Sequence, residues 1–264
     1  MATRPREGDP LWAIALGILL LLLLIGGGVT GVVYFAKDSF LNRTSPEAVD
    51  AAFNADPYAA PLLEAIRTAY PADYARIRET LSQSARRGTP PQAIQAETFA
   101  LLRQASLAHL DELAQAPHAE LSAFNAAETR LLEGLEADDV VLCGKYIMRG
   151  FAPGDDIPPR ARGALSEMGT AQWRASAAGR DRPAARKVSA ALSPRDSVAL
   201  VAAMREQGMG DRDLQIFASP PLFARAEPWR QCALGKWLVA AVGQLPAEQS
   251  DRIAAWLIMQ KRMN

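Results

Sequence analysis

Cysteine and histidine are scarce in this 264-residue sequence, with two of each. Two cysteines cannot furnish a four-ligand zinc centre, and Cys143 and Cys232 form no Cys-x-x-Cys pair. The histidines, His109 and His118, stand nine residues apart across a proline. No Gly-x-Ser-x-Gly elbow accompanies them, so a serine-nucleophile site has no sequence support. Glycine-rich phosphate loops are missing as well. Gly144-Lys145 and Gly235-Lys236 lack the rest of a Walker motif. Aromatics are 7% of the chain, and the formal net charge is zero. Neither a general nucleic-acid attraction nor a stacking platform for single strands is written here. These absences point to no cofactor and no metal.

What is present begins with one long apolar run. From Leu11 to Ala36 there is no charged side chain, and Asp9 and Lys37 bracket the stretch. As a helix it is roughly 39 Å long at about 1.5 Å per residue. That exceeds the hydrocarbon thickness of a bilayer, about 30 Å. Trp12 and Tyr34 sit where interfacial rings are favoured. The run is longer than a signal-peptide core, and no small-residue cleavage site follows it. It is therefore read as an uncleaved transmembrane anchor in the lipid bilayer. Arg4, Arg6 and the chain amine outweigh Lys37 and Arg43 slightly, which places the N-terminus in the cytoplasm. Everything after residue 40 is then periplasmic, at the inner membrane of a bacterium. The preference for Arg over Lys (five lysines) is read as the codon usage of a GC-rich genome. Gly27-x-x-x-Gly31 has the small-residue spacing that lets two membrane helices touch, an opening for self-association.

The remainder reads as all-α: a soluble multi-helix domain of antiparallel amphipathic helices behind one N-terminal transmembrane helix. Ser45-Pro46, Asp56-Pro57, Thr89-Pro90-Pro91 and Ser193-Pro194 have the form of a cap followed by a first-turn proline. Leu62, Leu63, Ile66 and Tyr70, then Tyr74, Ile77 and Leu81, recur at helical spacing up to a Gly88 stop. Phe99, Leu102, Leu110 and Leu113 line one long helix reaching about Ala116. Leu121, Phe124, Leu131 and Leu135 line the next, which opens at Pro117. The stretch Asp138–Met148 fits a buried helix or a strand equally. The chain divides into a tail (1–10), the anchor (11–36), a linker (37–45), a helical lobe (46–149), a loop and Arg-rich segment (150–192) and a C-terminal helical lobe (193–264).

Charge is distributed unevenly. Residues 44–139 carry 15 acids and 7 bases, whereas residues 140–264 carry 11 acids and 18 bases. The two parts can attract each other or face different partners. Arg160, Arg162, Arg174, Arg180 and Arg182 crowd a segment with few apolar residues besides Leu165, Met168 and Trp173. They are the candidate anion-binding residues, for phosphate, anionic headgroups or an acidic protein face. This segment is expected to be an exposed helix.

Cys143 and Cys232 are compatible with one disulfide, given an extracytoplasmic domain. Each is followed closely by a Gly-Lys-aromatic step, a pattern expected of two similar helices meeting at their cysteines. Paired acids occur at Asp111-Glu112, Asp138-Asp139 and Asp155-Asp156. Glycoside cleavage needs two carboxylates across a groove, so Asp155 and Glu167 stand as the enzyme alternative. The favoured reading is non-catalytic: a membrane-anchored interaction or structural module whose partner is another envelope protein. The alternatives are a cell-wall glycan hydrolase and, with orientation reversed, a cytoplasmic-facing scaffold.

Overall fold

A computed structural model of the chain describes residues 45–152, 154–186 and 192–260. The apolar run Leu11–Ala36, with Gly27 and Gly31, lies outside them. Among the described residues no helix is long and apolar enough to cross a membrane.

The described residues are helical with no strand among them. The helices are α1 (Pro46–Ala55), α2 (Ala59–Ala69), α3 (Pro71–Arg86), α4 (Pro91–Ala108), α5 (Leu110–Ala114), α6 (His118–Asp138), α7 (Val140–Arg149), α8 (Pro159–Asp181), α9 (Pro194–Glu206), α10 (Asp211–Ala218), α11 (Pro220–Arg225), α12 (Pro228–Gln244) and α13 (Ala247–Gln260). Proline in the first turn opens α1, α3, α4, α8, α9, α11 and α12, and two of these also carry a serine cap. Ser45 Oγ accepts from Ala48 N, and Ser193 Oγ accepts from Asp196 N. Gly88 (φ 72°) and Gly150 (φ 72°) follow the ends of α3 and α7 in the left-handed region that side chains avoid.

One open reading is settled and two expectations are corrected by this geometry. In the stretch left open between helix and strand, Asp138 ends α6 and residues 140–148 lie in α7, which Asp139 caps by accepting from Leu142 N at 2.9 Å. The long helix expected to reach Ala116 is two helices broken at His109 (φ −106°, ψ 16°). That residue's ring is tied to α3 and α5, as described below. The second correction concerns the Arg-rich segment. It forms α8, which packs against α2, α5 and α6 and buries Ala161, Arg162, Met168, Thr170, Trp173, Ala175, Ser176, Ala178 and Gly179. Its inward face is made largely of small residues, which carry little hydropathy yet let backbones approach closely.

Three apolar clusters fill the interior. One joins α5, α6, α7 and α8 with parts of α12 and α13. A second joins α1 to α4 with Trp173 of α8. The third joins α9 to α13. Helix α8 serves the first two, and α12 serves the first and third, so neither is amphipathic in the ordinary one-sided way. Helices α6 and α8 run antiparallel: Glu120 pairs with Arg182, and Asp138 with Arg160. Helices α7 and α12 run in the same direction, since Cys143 meets Cys232 and Ile147 meets Gly235.

The disulfide Cys143–Cys232 joins α7 to α12 with Cα atoms 5.2 Å apart. The glycine after each cysteine step lies at the same crossing. A Cβ on Gly144 would sit 2.7 Å from Pro228 O, and one on Gly235 would sit 2.2 Å from Ile147 Cδ1. The repeated Cys, Gly-Lys-aromatic step is thus the contact seam of two helices. Several ion pairs link the acidic and basic portions, including Lys236 with Glu136 as well as the two α6–α8 pairs above.

Candidate functional site

The described residues enclose a cavity of about 270 Å³. It lies between the α1–α2 junction, α4, the 150–158 loop and the first half of α8. That size suits a small metabolite, at the low end of the few hundred Å³ usual for ligand sites. Its walls are mainly apolar, with Phe53, Leu62, Phe99, Phe151, Leu165 and Trp173 prominent. Arg103 and Gly154, both exposed, mark where it meets solvent.

Several polar groups reach this wall, and Thr98, Ser166 and Asp155 among them are bonded to the protein. Thr98 Oγ1 donates to Ile94 O at 2.8 Å, and Ser166 Oγ donates to Tyr58 O at 2.6 Å. Asp155 accepts two bonds from Arg149 (2.9 and 3.0 Å) and one from Ala152 N (2.7 Å). Partial burial opposes its ionisation, but those bonds win and its carboxyl lies below the usual range.

Two buried charged residues differ from these. Asp56 is 4% exposed. Its Oδ1 accepts from Tyr58 N (2.8 Å) and Ala59 N (3.0 Å), closing the turn that starts α2. Its Oδ2 is buried and has no partner. Arg162 is 5% exposed. Its Nε donates to Ile157 O at 2.7 Å, and its Nη2 lies 3.9 Å from Asp156 Oδ1, the limit of an ion pair. Burial pulls the Arg162 pKa below that of a free guanidinium, while the charge of Asp156, Tyr58 and Asp56 pushes it back up. The sequence singles out Arg162 for its charge and presents Asp56 only as a helix start. Nothing in the pattern marks its second oxygen as unpaired.

The other arginines named from sequence do not converge with Arg162. Arg160 is exposed at 3.6 Å from Asp138. Arg174 is exposed. Arg180 bonds Asp181, donates to Ala69 O (2.6 Å) and covers the Tyr70 ring at 4.8 Å. Arg182 bonds Glu120 at 2.8 Å. Residues 160 and 182 stand about 33 Å apart along a helix rising about 1.5 Å per residue, so one small anion cannot meet them all.

His109 lies in a network beside the same helix. Its Nε2 meets Asp73 Oδ2 at 2.7 Å and its Nδ1 meets Glu112 Oε2 at 3.0 Å. Tyr70 donates to Glu112, and Trp173 packs edge-on against both Tyr70 and His109. Both imidazole nitrogens are occupied by carboxylates, leaving neither to serve a nucleophile. Burial and the Glu112 bond raise the Tyr70 hydroxyl well above its ordinary range. Burial, with the bond to Asp50, pushes Tyr74 up to about 12. His118 is exposed and bonds Asp251 at 2.7 Å, which also holds Arg186.

The remaining acids are dispersed. Asp139 caps α7, and Glu167 is exposed and bonded to Arg130 at 2.9 Å. Asp155, by contrast, lines the cavity. Among the described residues no group of three His, Cys, Asp or Glu side chains is placed to hold a metal. No family model, curated protein or solved structure matches this chain, so the cavity carries the functional reading.

Proposed function

We propose that this chain is a membrane-tethered, non-catalytic binding module of the bacterial cell envelope, and that it holds a small, largely apolar ligand in the α1–α2, α4 and α8 cavity. The observation that carries this reading is the cavity itself, with its mainly apolar walls and metabolite size. A binding site needs shape and a few placed polar groups. A hydrolytic site would need in addition an acid or base with a free reactive atom beside a nucleophile or water position. Asp155 and His109 are both fully engaged where they stand.

Tethering is supported by the 26-residue uncharged run Leu11–Ala36, which finds its lowest free energy in hydrocarbon. An oxidising compartment is supported by the disulfide, a bond that reducing cytosol does not maintain. Fusion of alkaline phosphatase to the C-terminus is expected to give active enzyme in cells. Activity confined to a cytoplasmic reporter at that position would reverse the orientation. Binding is tested on the full chain in lipid nanodiscs with indole, a neutral apolar probe, against empty discs as baseline. Saturable binding at sub-millimolar concentration is expected. Leu102→Trp, which fills the cavity from α4, is expected to weaken it at least tenfold with the helical circular dichroism unchanged. Equal indole binding by both proteins would remove the cavity as the site.

A further inference from the structure

We infer that the cavity takes one straight hydrocarbon chain, the acyl tail of an amphiphile, laid lengthwise between α4 and α8 with its polar head left outside. The inference rests on the cavity being a ligand site of a membrane-tethered module, and adds which chemical class fills it.

The shape follows from the spacing of the lining residues. On α8 they include Arg162, Leu165, Ser166, Gly169, Gln172 and Trp173, the three- and four-residue recurrence of one helix face. From residue 162 to residue 173 a helix rises about 16 Å, at about 1.5 Å per residue. Across from them, Phe99, Leu102 and Ser106 repeat the same spacing on α4. Helix α4 packs on α3 and α5 rather than closely on α8, and the cavity fills the space between. It is therefore a channel along three turns of α8. Spread over about 16 Å of helix, about 270 Å³ gives a mean cross-section of roughly 17 Å². A single file of carbons, about 4 Å across at van der Waals contact, has a section of roughly 13 Å². One chain fits; two side by side, or a cage-shaped hydrocarbon, exceed the width. A zigzag of bonds of about 1.5 Å at angles near 111° advances about 1.25 Å per carbon, so about twelve or thirteen carbons span the channel.

The wall and its place in the chain suit such a ligand. Thr98 and Ser166 spend their hydroxyls on Ile94 O and Tyr58 O, and a polymethylene chain asks no hydrogen bond of either. Phe53 of the wall is also close in sequence to the apolar run. The nine residue steps from Ala36 to Ser45 reach at most about 32 Å. Helix α1 adds about 12 Å to Phe53. With the run in a bilayer, the channel stays within a few tens of Å of a reservoir of acyl chains.

The test is calorimetry on the full chain in nanodiscs, with empty discs subtracted. The ligands are straight-chain carboxylates of eight to eighteen carbons, 1-adamantanecarboxylate and indole. Affinity is expected to rise about fourfold per added methylene and to level off near twelve or thirteen carbons. Partition into the bilayer has no such plateau, so a rise continuing to eighteen carbons would overturn the inference. So would 1-adamantanecarboxylate binding as tightly as undecanoate, which has the same carbon count and charge. Leu165→Trp and Gln172→Trp narrow the channel near opposite ends. In the variant farther from the entrance the plateau is expected several carbons earlier, with octanoate unchanged. A loosened fold weakens every length and cannot produce that shift. An unmoved plateau in both variants, or uniform weakening of all lengths in both, would overturn the inference. Dodecanoate and a twelve-carbon lysophosphatidylcholine then separate the sources of the chain. Tighter binding of the acid assigns a free fatty acid, tighter binding of the lysolipid assigns a bilayer lipid, and binding of neither overturns the inference. Indole binding with no chain-length dependence among the carboxylates would overturn the acyl chain and leave the binding module standing. Failure of indole and of every chain would overturn both.

Discussion

Removing the Cys143–Cys232 bond as the pair Cys143→Ala and Cys232→Ala is expected to lower the unfolding free energy by about 4 kcal/mol. The bond closes a loop 89 residues long in sequence separation. In the chain-entropy account a loop of that length restricts the unfolded ensemble by about 4–5 kcal/mol, and native proteins commonly realise 2–5. Both sulfurs are fully buried, and both sit in the central apolar cluster, so truncation also leaves unfilled space at the α7–α12 seam. For a domain of this size the change corresponds to a fall of about 10 °C in melting temperature. Urea unfolding of the oxidised protein and the double variant gives the difference directly. Burial makes a second, kinetic expectation. Dithiothreitol is expected to leave the bond intact under native conditions and to cleave it readily in urea near the midpoint, because a thiolate must reach the sulfur it attacks. Equal midpoints for the two proteins would show that helix packing alone holds α7 to α12.

The disulfide is legible in the sequence because cysteine is rare here and each copy is trailed by the same glycine-bearing step. Sequence shows that two helices share a contact chemistry, and the structure adds that the glycines are what lets them cross so near. The capped starts at Ser45 and Ser193 and the stop at Gly88 are equally plain, since they depend on neighbouring residues only. The role of α8 is hidden for a physical reason. A search for periodic Leu, Ile and Val passes over a helix whose buried face is Ala, Gly, Ser and Thr, and seven basic residues between 160 and 187 make the segment look solvated. Long arginine side chains can leave such a helix on its outer side while its backbone is central. The cavity is invisible to pattern reading for a further reason. Asp56, Phe99 and Arg162 come from three distant parts of the chain, and only tertiary packing brings them to one wall. The split at His109 depends likewise on Asp73, 36 residues away. Local pattern rules carry no information about pairs so separated.

The same helix supplies the sharpest test of how the fold is held, because one substitution at two of its glycines is expected to act with opposite signs. At Gly179 a Cβ would lie 1.8 Å from Glu112 O, 2.8 Å from its carbonyl carbon and 2.9 Å from Ala116 N. All three are backbone atoms of the α5 turn, and that turn is pinned on both sides. Ala184 N donates to Gln115 O at 2.8 Å, and Arg186 donates to Ala114 O at 3.1 Å. A side chain can rotate away from an intruding methyl, whereas this turn can yield only by lifting off α8. Moving Glu112 would in turn strain its bond from Tyr70, which links α5 to the α2–α3 corner, and its bond to His109 at the start of α5. Gly179→Ala is therefore expected to destabilise by about 3 kcal/mol, the upper part of the overpacking range, after the roughly 1 kcal/mol that alanine gains in a helix interior. At Gly163 the nearest atom to a new Cβ is Tyr58 Cε1 at 3.9 Å, an ordinary contact. Gly163→Ala has only the backbone-entropy gain to express, and is expected to stabilise by about 0.5–1 kcal/mol. Urea midpoints of the two variants should bracket the parent protein, with Gly179→Ala well below it. If both variants shifted the midpoint in the same direction, the close approach of α5 to α8 would not be what fixes this end of the domain.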